Sequence, residues 1–314
     1  MGSYVARRLG ATVLVLFLVT LISFSIMHMV PGDPAVVMAG VGASADQVQR
    51  IREQFGLDAP FLVRLGRWYA GLLRGDLGQS ILLGRSVAQA IAERLPATLA
   101  LAAFAFGLTA VLGVVLGTIA AVRQHTWVDQ AVMTIAVVGV SLPGFWLGLI
   151  LIILFSVMLD WLPAGGYVPF AQSPSAWLRA LVLPGASLAL LQIGLLARIT
   201  RSTVAETLRQ DYVRTARAKG LPAWGVVGRH ALGNATIPIM TVLGISVSLL
   251  LSGSVVVETV FSIPGLGRLM ATAILARDYP VIQGGLLITA LMFVGINLAV
   301  DLLYAWLDPR IRYD

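Results

Sequence analysis

The chain contains no cysteine, which excludes disulfides, thiolate metal centres and cysteine nucleophiles and leaves the redox compartment undetermined. It contains one lysine, Lys219, and Gly220 follows it. The Gly-Lys-Ser/Thr core of a phosphate-cradling loop therefore occurs nowhere, and the chain is not expected to hydrolyse ATP. The three histidines, His28, His125 and His230, are dispersed, and no His-Glu-x-x-His pair exists to make an intramembrane metalloprotease. Charge is scarce too: 12% of residues are charged, against about a quarter in soluble domains. What remains is apolar, 58% of 314 residues with a mean hydropathy of +0.89. These values describe a protein that crosses a membrane several times.

Six apolar runs are each long enough to cross about 30 Å of hydrocarbon as a helix: Leu9 to Val30, Ala97 to Val122, Ala131 to Leu159, Leu178 to Ile199, Ile237 to Val257 and Val281 to Leu303. The expected fold is all-α, a polytopic membrane protein of six transmembrane helices. Residues 1–314 then form one transmembrane domain, with a first span at 9–30, an outer loop at 31–96 and a five-span core at 97–307. Arg7 and Arg8 before the first run resemble the start of a signal peptide, but the run is about twice a typical signal core, so it reads as an uncleaved span. With both termini inside, the inner side carries twelve Lys and Arg and the short outer loops three, Arg179, Arg268 and Arg277. The termini are therefore expected to be cytoplasmic. The net charge of +7 follows from this topology and not from nucleic-acid binding, because the arginines sit at the ends of apolar runs.

The first outer loop has helix signals of its own. Ser44 and Gln47 form a candidate capping box, stopped at Gly56. After Pro60, Leu62, Leu65, Trp68, Tyr69 and Leu72 form an apolar stripe beside Arg64, Arg67 and Arg74. The loop reads either as a lid on the bundle or as a contact for an external partner. Within the spans, Gly113 and Gly117 suit close helix packing, while Pro143-Gly144 and Pro184-Gly185 are candidate kinks or hinges. His28, Glu258 and Asp301 are expected at the solvated interfaces, and Asn297 buried and bonded to a neighbouring helix. Ser246, Ser248, Ser252 and Ser254 either line a polar pathway, with Asn297 as a further candidate, or serve as small packing residues.

Between spans four and five lies Asp211 to Pro238, a basic helix-turn-helix pattern. Thr203 and Glu206 signal a helix start, and Val204, Leu208, Tyr212 and Ala216 recur at steps of four. Arg209, Arg214, Arg217 and Lys219 occupy other faces. Gly220 offers a positive-φ residue and Pro222 blocks continuation, so the helix should end near Lys219 with Gly220 and Leu221 in the turn. A second helix over Ala223 to Ala231 places Trp224, Val227 and Ala231 on one side, weakened by Gly225 and Gly228. On physical grounds alone this segment suits either the membrane surface or a cytosolic protein.

The segment resembles the cytoplasmic EAA loop of ABC importer permeases. Arg214-Thr215-Ala216 replaces the acidic-alanine-alanine triplet, Gly220 falls at the expected glycine, and His230-Ala231-Leu232-Gly233 replaces the ending seen in sugar permeases. These departures are similar to the branch that imports peptides and nickel. So are eight short motifs in order: Pro31-Gly32-Asp33-Pro34, Gly75-Asp76-Leu77-Gly78, Arg94-Leu95-Pro96, Ser141 to Trp146, Trp161-Leu162-Pro163, Pro264 to Gly267, Arg277 to Pro280 and Asp308 to Ile311. The long first outer loop resembles that of the first-type permease.

The resemblance implies a permease of the bacterial inner (plasma) membrane that pairs with a second, similar permease subunit in the lipid. It also implies two docked ATPase subunits that use ATP and Mg while this chain binds no cofactor or metal, and an outer substrate-binding protein that delivers a short peptide. The coupling loop, 200–236, would then act through Asp211, Tyr212, Arg214, Thr215, Ala216, Arg217, Ala218, Lys219, Gly220, Leu221, Trp224, Arg229 and His230. Related permeases carry nickel, glutathione or oligosaccharides, and no residue decides among them. An ion-coupled secondary transporter is the alternative of a different class. It wants ionisable groups near the midplane, where this chain offers mainly Asn297.

Overall fold

The computed structural model describes residues 2–29, 34–40, 42–54 and 56–307, with side chains for 10–25, 35–36, 39–40, 42–53 and 56–300. The side chains of Arg7, Arg8, His28 and Asp301, residues Pro31 to Asp33 and the C-terminal Asp308 to Ile311 lie outside the described residues. Every named element is a helix. Four are long and apolar enough to cross a membrane, and a bent pair makes a fifth. The expected first span belongs to α1, Gly2–Met29, whose described apolar portion is Gly10–Ser25. The chain divides into two compact units, residues 1–96 with 268–295 and 313–314, and residues 97–267 with 296–312.

The first unit holds α1, α2 (Pro34–Ala39), α3 (Ala45–Gln54) and α4 (Phe61–Leu73). The Ser44 and Gln47 capping box forms in both directions: the Ser44 amide donates to the Gln47 side chain at 2.8 Å, and the Gln47 amide to Ser44 Oγ at 3.3 Å. Gly56 lies at φ +61. An aromatic cluster joins α4 to α1, with Phe24 against Phe61 and Trp68 and Phe17 stacked on Tyr69. Tyr69 Oη also lies 3.0 Å from the Thr20 hydroxyl. The stripe of α4 therefore packs on α1, although its Leu62 is 76% exposed.

Beyond α4, the Gly75-Asp76-Leu77-Gly78 motif is a double turn. Gly75 and Gly78 have φ of +76 and +86, and Asp76 Oδ1 accepts the Gly78 amide at 2.8 Å. Buried Asp278, from the Arg277-Asp278-Tyr279-Pro280 motif, accepts the Ser80 hydroxyl at 2.6 Å and the Leu82 amide at 2.9 Å. A Cβ on Gly78 would lie 3.7 Å from Pro280, so the two short motifs adjoin.

The second unit is built around α8 (Pro174–Thr207), whose most apolar stretch is 72% buried, against 28% for α5 (Val87–Val122). Among membrane helices, packing rests on close contact because lipid is as apolar as the side chains. Glycines provide that contact here. A Cβ on Gly113 would lie 2.7 Å from Leu196, and one on Gly117 2.5 Å from the Ala197 carbonyl, so α5 and α8 touch backbone to backbone. Gly185 admits the Phe104 ring in the same way. Gly194 meets the Ala136 carbonyl of α6 (Trp127–Ser141). On α11 (Gly233–Val260), Ser246 is buried and donates to Gln192 of α8 at 3.2 Å.

Three expectations change. The run from Ala131 to Leu159 is not one helix. Pro143 forces Leu142 out of the helical region to ψ 131, and α6 and the helix Gly144–Met158 meet at a 108° bend. That second helix is α7 (Gly144–Leu151) followed by a π-helical stretch, Ile152–Met158. Pro184, by contrast, stays inside α8. Glu258 is not at a solvated interface: it is fully buried and accepts the Thr98 hydroxyl at 2.6 Å. The Thr98 oxygen accepts the Leu266 amide in turn, at 2.8 Å. Only glycine fits at 265, because any Cβ there would overlap the Glu258 carboxylate, which explains the Pro264-Gly265-Leu266-Gly267 motif. Asn297 is exposed, not buried.

Gly107 has open space around its Cβ position. Gly117→Val should cost about 1–3 kcal/mol of stability through overpacking, and Gly107→Val much less. Thermal melting in detergent checks this difference.

Candidate coupling site

Helix α8 runs straight through Thr203 and Glu206, so the expected helix start there is absent. The Thr207 hydroxyl bonds back to the Thr203 carbonyl at 2.8 Å. Leu208 to Gln210 break the helix, and α9 occupies Asp211–Ala218. The break resets the rotation between successive residues, which corrects the expected apolar face. Val204 and Ala216 are buried as expected, but Tyr212 is 44% exposed and Val213 is fully buried in its place.

Helix α9 closes with a Schellman motif. The Gly220 amide donates to the Arg217 carbonyl at 2.9 Å and the Leu221 amide to the Ala216 carbonyl at 3.3 Å. This pairing requires a left-handed residue between them, and Gly220 has φ +80. Pro222 then starts a helix with no further break: α10 (Ala223–Gly225), a π-helical stretch Val226–Leu232, and α11. The whole run, Ala223–Val260, is one membrane-length helix. The second helix of the segment is thus the beginning of the fifth span. Its buried side is Val226 and Ala231, while Trp224, expected to face the same way as Ala231, is 81% exposed.

The segment has two faces. Ala231 joins Val204, Ala205, Leu196, Ala235, Ile239 and Leu243 in a core cluster that ties the segment to α8 and α11. On the other side Asp211, Tyr212, Arg214, Thr215, Arg217, Ala218, Lys219, Gly220, Trp224 and Arg229 are all exposed, and Leu221 and His230 are half-buried. Arg214 meets Asp211 at 3.5 Å with both side chains in solvent, a pair of little energetic weight. The result is a positive surface with a tyrosine and a tryptophan, the composition of interface hot spots. Ala216 alone of the expected coupling residues is buried, at 6% exposure.

Sequence reasoning missed an ion pair next to this site. Asp129 in the first turn of α6 is 4% exposed and is gripped in two places by Arg201 of α8, Nε to Oδ1 at 2.5 Å and Nη2 to Oδ2 at 2.6 Å. The readable signal was a carboxylate opening an apolar run in a chain with so few charges. On α11, Ser248 is half-buried and Ser252 exposed, while the Ser254 hydroxyl bonds the Leu251 carbonyl of its own helix.

Residues 113–313 match the family described as the binding-protein-dependent transport system inner membrane component, and residues 1–102 match the N-terminal component of such systems. The chain belongs to this permease family. A Brucella abortus (strain 2308) protein provisionally named as a peptide transport system permease is 50% identical over the full length of both chains. The glutathione transport system permease protein of Escherichia coli O6:H1 is 43% identical, and the dipeptide transport system permease protein of Alkalihalophilus pseudofirmus 40%, each over the whole of both chains. The permease fold is accordingly all-α and polytopic, and the protein is an integral membrane component of an ABC importer.

Nothing lies within 4 Å of a Cβ placed on Gly220, so the penalty for a side chain there is backbone strain alone, about 1–2 kcal/mol. Gly220→Val should insert normally yet lose most transport, whereas Gly220→Asn, which tolerates positive φ, should keep most of it. Transport into proteoliposomes decides, and normal uptake by the valine variant would refute a role for this turn.

Proposed function

We propose that this permease carries short peptides into the cytoplasm and that its exposed basic and aromatic surface, Tyr212 to Arg229, receives the ATPase subunits. One observation carries the reading: a positively charged docking face is continuous through Ala223–Val260 with a membrane-length helix, so displacement of the face must move that span. The peptide substrate is drawn from the names of the peptide and dipeptide relatives. In this reading the chain pairs with a second, similar permease, two ATPase subunits bind and hydrolyse MgATP, and an outer binding protein delivers the peptide. The chain itself is non-catalytic and holds no nucleotide, in keeping with a sole lysine followed by glycine. The excess of Lys and Arg beside the segment supports cytoplasmic termini in an inner (plasma) membrane. Exposed Ser252 and Asn297 and half-buried Ser248 would face the pathway, while buried Ser246 would shape it through α8.

The decisive experiment is reconstitution of the complex in proteoliposomes, with ATPase activity measured as the binding protein is loaded with dipeptide, glutathione or nickel. Dipeptide should stimulate most; stimulation by nickel or glutathione alone would replace the substrate assignment. Arg217→Glu with Lys219→Glu should release the ATPase subunits during copurification, because the surface would lose the charge that complements a carboxylate on the partner. Undiminished copurification would dismiss the electrostatic part of the docking model.

A further inference from the structure

The loop before α6 is tied to the end of α8 by more than the ion pair. The His125 amide donates to Asp129 Oδ2 at 3.0 Å from a residue at φ +62, and Arg209 reaches Gln124 at 3.1 Å. Farther along, Gly194 brings the α8 backbone against the Ala136 carbonyl, and Gly139 admits the Leu190 side chain, 3.1 Å from its Cβ position. Backbones this close cannot slide without steric clash, so α6 and α8 are held at both places. At its far end α6 stops at Leu142, and α7 leaves at 108°. Leu142 has β-region backbone angles and Pro143 no amide to donate.

We propose that Asp129 and Arg201 are positioning residues of the transport cycle. They lock α6 to α8 so that the two carry displacement of α9 as one body, and they release it at the Leu142-Pro143 joint to α7. Arg201 lies six residues before the end of α8, about 9 Å along the axis, and therefore stands between the docking face and the rest of both helices. A buried ion pair is a poor source of net stability, since well-packed apolar residues of similar volume usually replace it without loss. What it supplies is a fixed geometry: a two-pronged guanidinium–carboxylate contact admits one relative placement of two helices, where apolar side chains admit several.

This inference rests on the coupling role proposed above, and its test separates the two. The complex of this permease with its partner permease and ATPase subunits is reconstituted with wild-type chain, with Asp129→Asn, and with the apolar pair Asp129→Leu and Arg201→Met. Dipeptide uptake and ATP hydrolysis are measured together. The apolar pair should assemble and hydrolyse ATP at the wild-type basal rate while peptide moved per ATP falls about ten-fold, a size typical of lost coupling between sites. Asp129→Asn should show the same loss, or fail to assemble because half-buried Arg201 loses its carboxylate partner; the apolar pair then decides. Wild-type peptide-per-ATP stoichiometry in the assembled apolar pair would overturn the clamp and leave the pair as packing alone. Absence of ATP-driven uptake in the wild-type complex would instead overturn the importer reading itself.

Discussion

The second unit depends on the backbone contact around α8. In lipid, helices gain nothing from hiding apolar side chains from one another, so close van der Waals fit has to hold them. Helix α8 meets that demand through glycines: Gly117 of α5 lies against the Ala197 carbonyl and its own Gly194 against the Ala136 carbonyl, while Gly113 admits the Leu196 side chain and Gly185 the Phe104 ring. Each contact also fixes register, because a glycine in the wrong position along the interface would bring a Cβ into a carbonyl. The consequence for function is stiffness. A displacement applied to the end of α8 cannot be absorbed by side-chain rearrangement in these interfaces.

Two buried carboxylates inside the units meet a second constraint, that a buried acceptor cannot borrow a water from lipid. Glu258 and Thr98 close one account by joining the end of α11 to α5 and to the Leu266 amide. Asp278 closes another by accepting the Ser80 hydroxyl and the Leu82 amide. Both carboxylates hold a turn against a helix end, and both sit among the short motifs rich in glycine and proline. Those motifs are the local geometry that allows a backbone to approach a carboxylate closely, which is why glycine at 265 and 267 accompanies Glu258.

Much of this was legible in the sequence, and the failures share one physical cause. Length and hydropathy located the apolar runs, the Ser44 and Gln47 spacing found a capping box, and Gly220 before Pro222 found the turn. Periodicity extended through a break did not succeed. Steps of four put Tyr212 on one face with Val204 and Ala216, and Trp224 on one side with Ala231, but the count runs across Leu208 to Gln210 and into a π-helical stretch, where 100° per residue no longer holds. Glu258 was misplaced because a carboxylate near a span end is indistinguishable, in one dimension, from one that turns inward to a threonine 160 positions earlier. The Asp129 and Arg201 pair was hidden for the same reason.

The exposed side chains of the coupling segment fit this economy of contact. A chain that satisfies Asp129, Glu258 and Asp278 so completely leaves Arg217, Lys219 and Arg229 without an ion pair among the described residues and Trp224 almost wholly uncovered. Folding energetics do not ask for this, since a tryptophan turned inward would gain burial and the positive charges repel one another. In the proposed reading the ATPase subunits cover this surface. Its inner side, Val213, Ala216, Val226 and Ala231, is buried in the same short stretch. The Schellman turn at Gly220 fixes how α9 leads into the helix Ala223–Val260, which in the proposed reading is the path from the docking face to the fifth span.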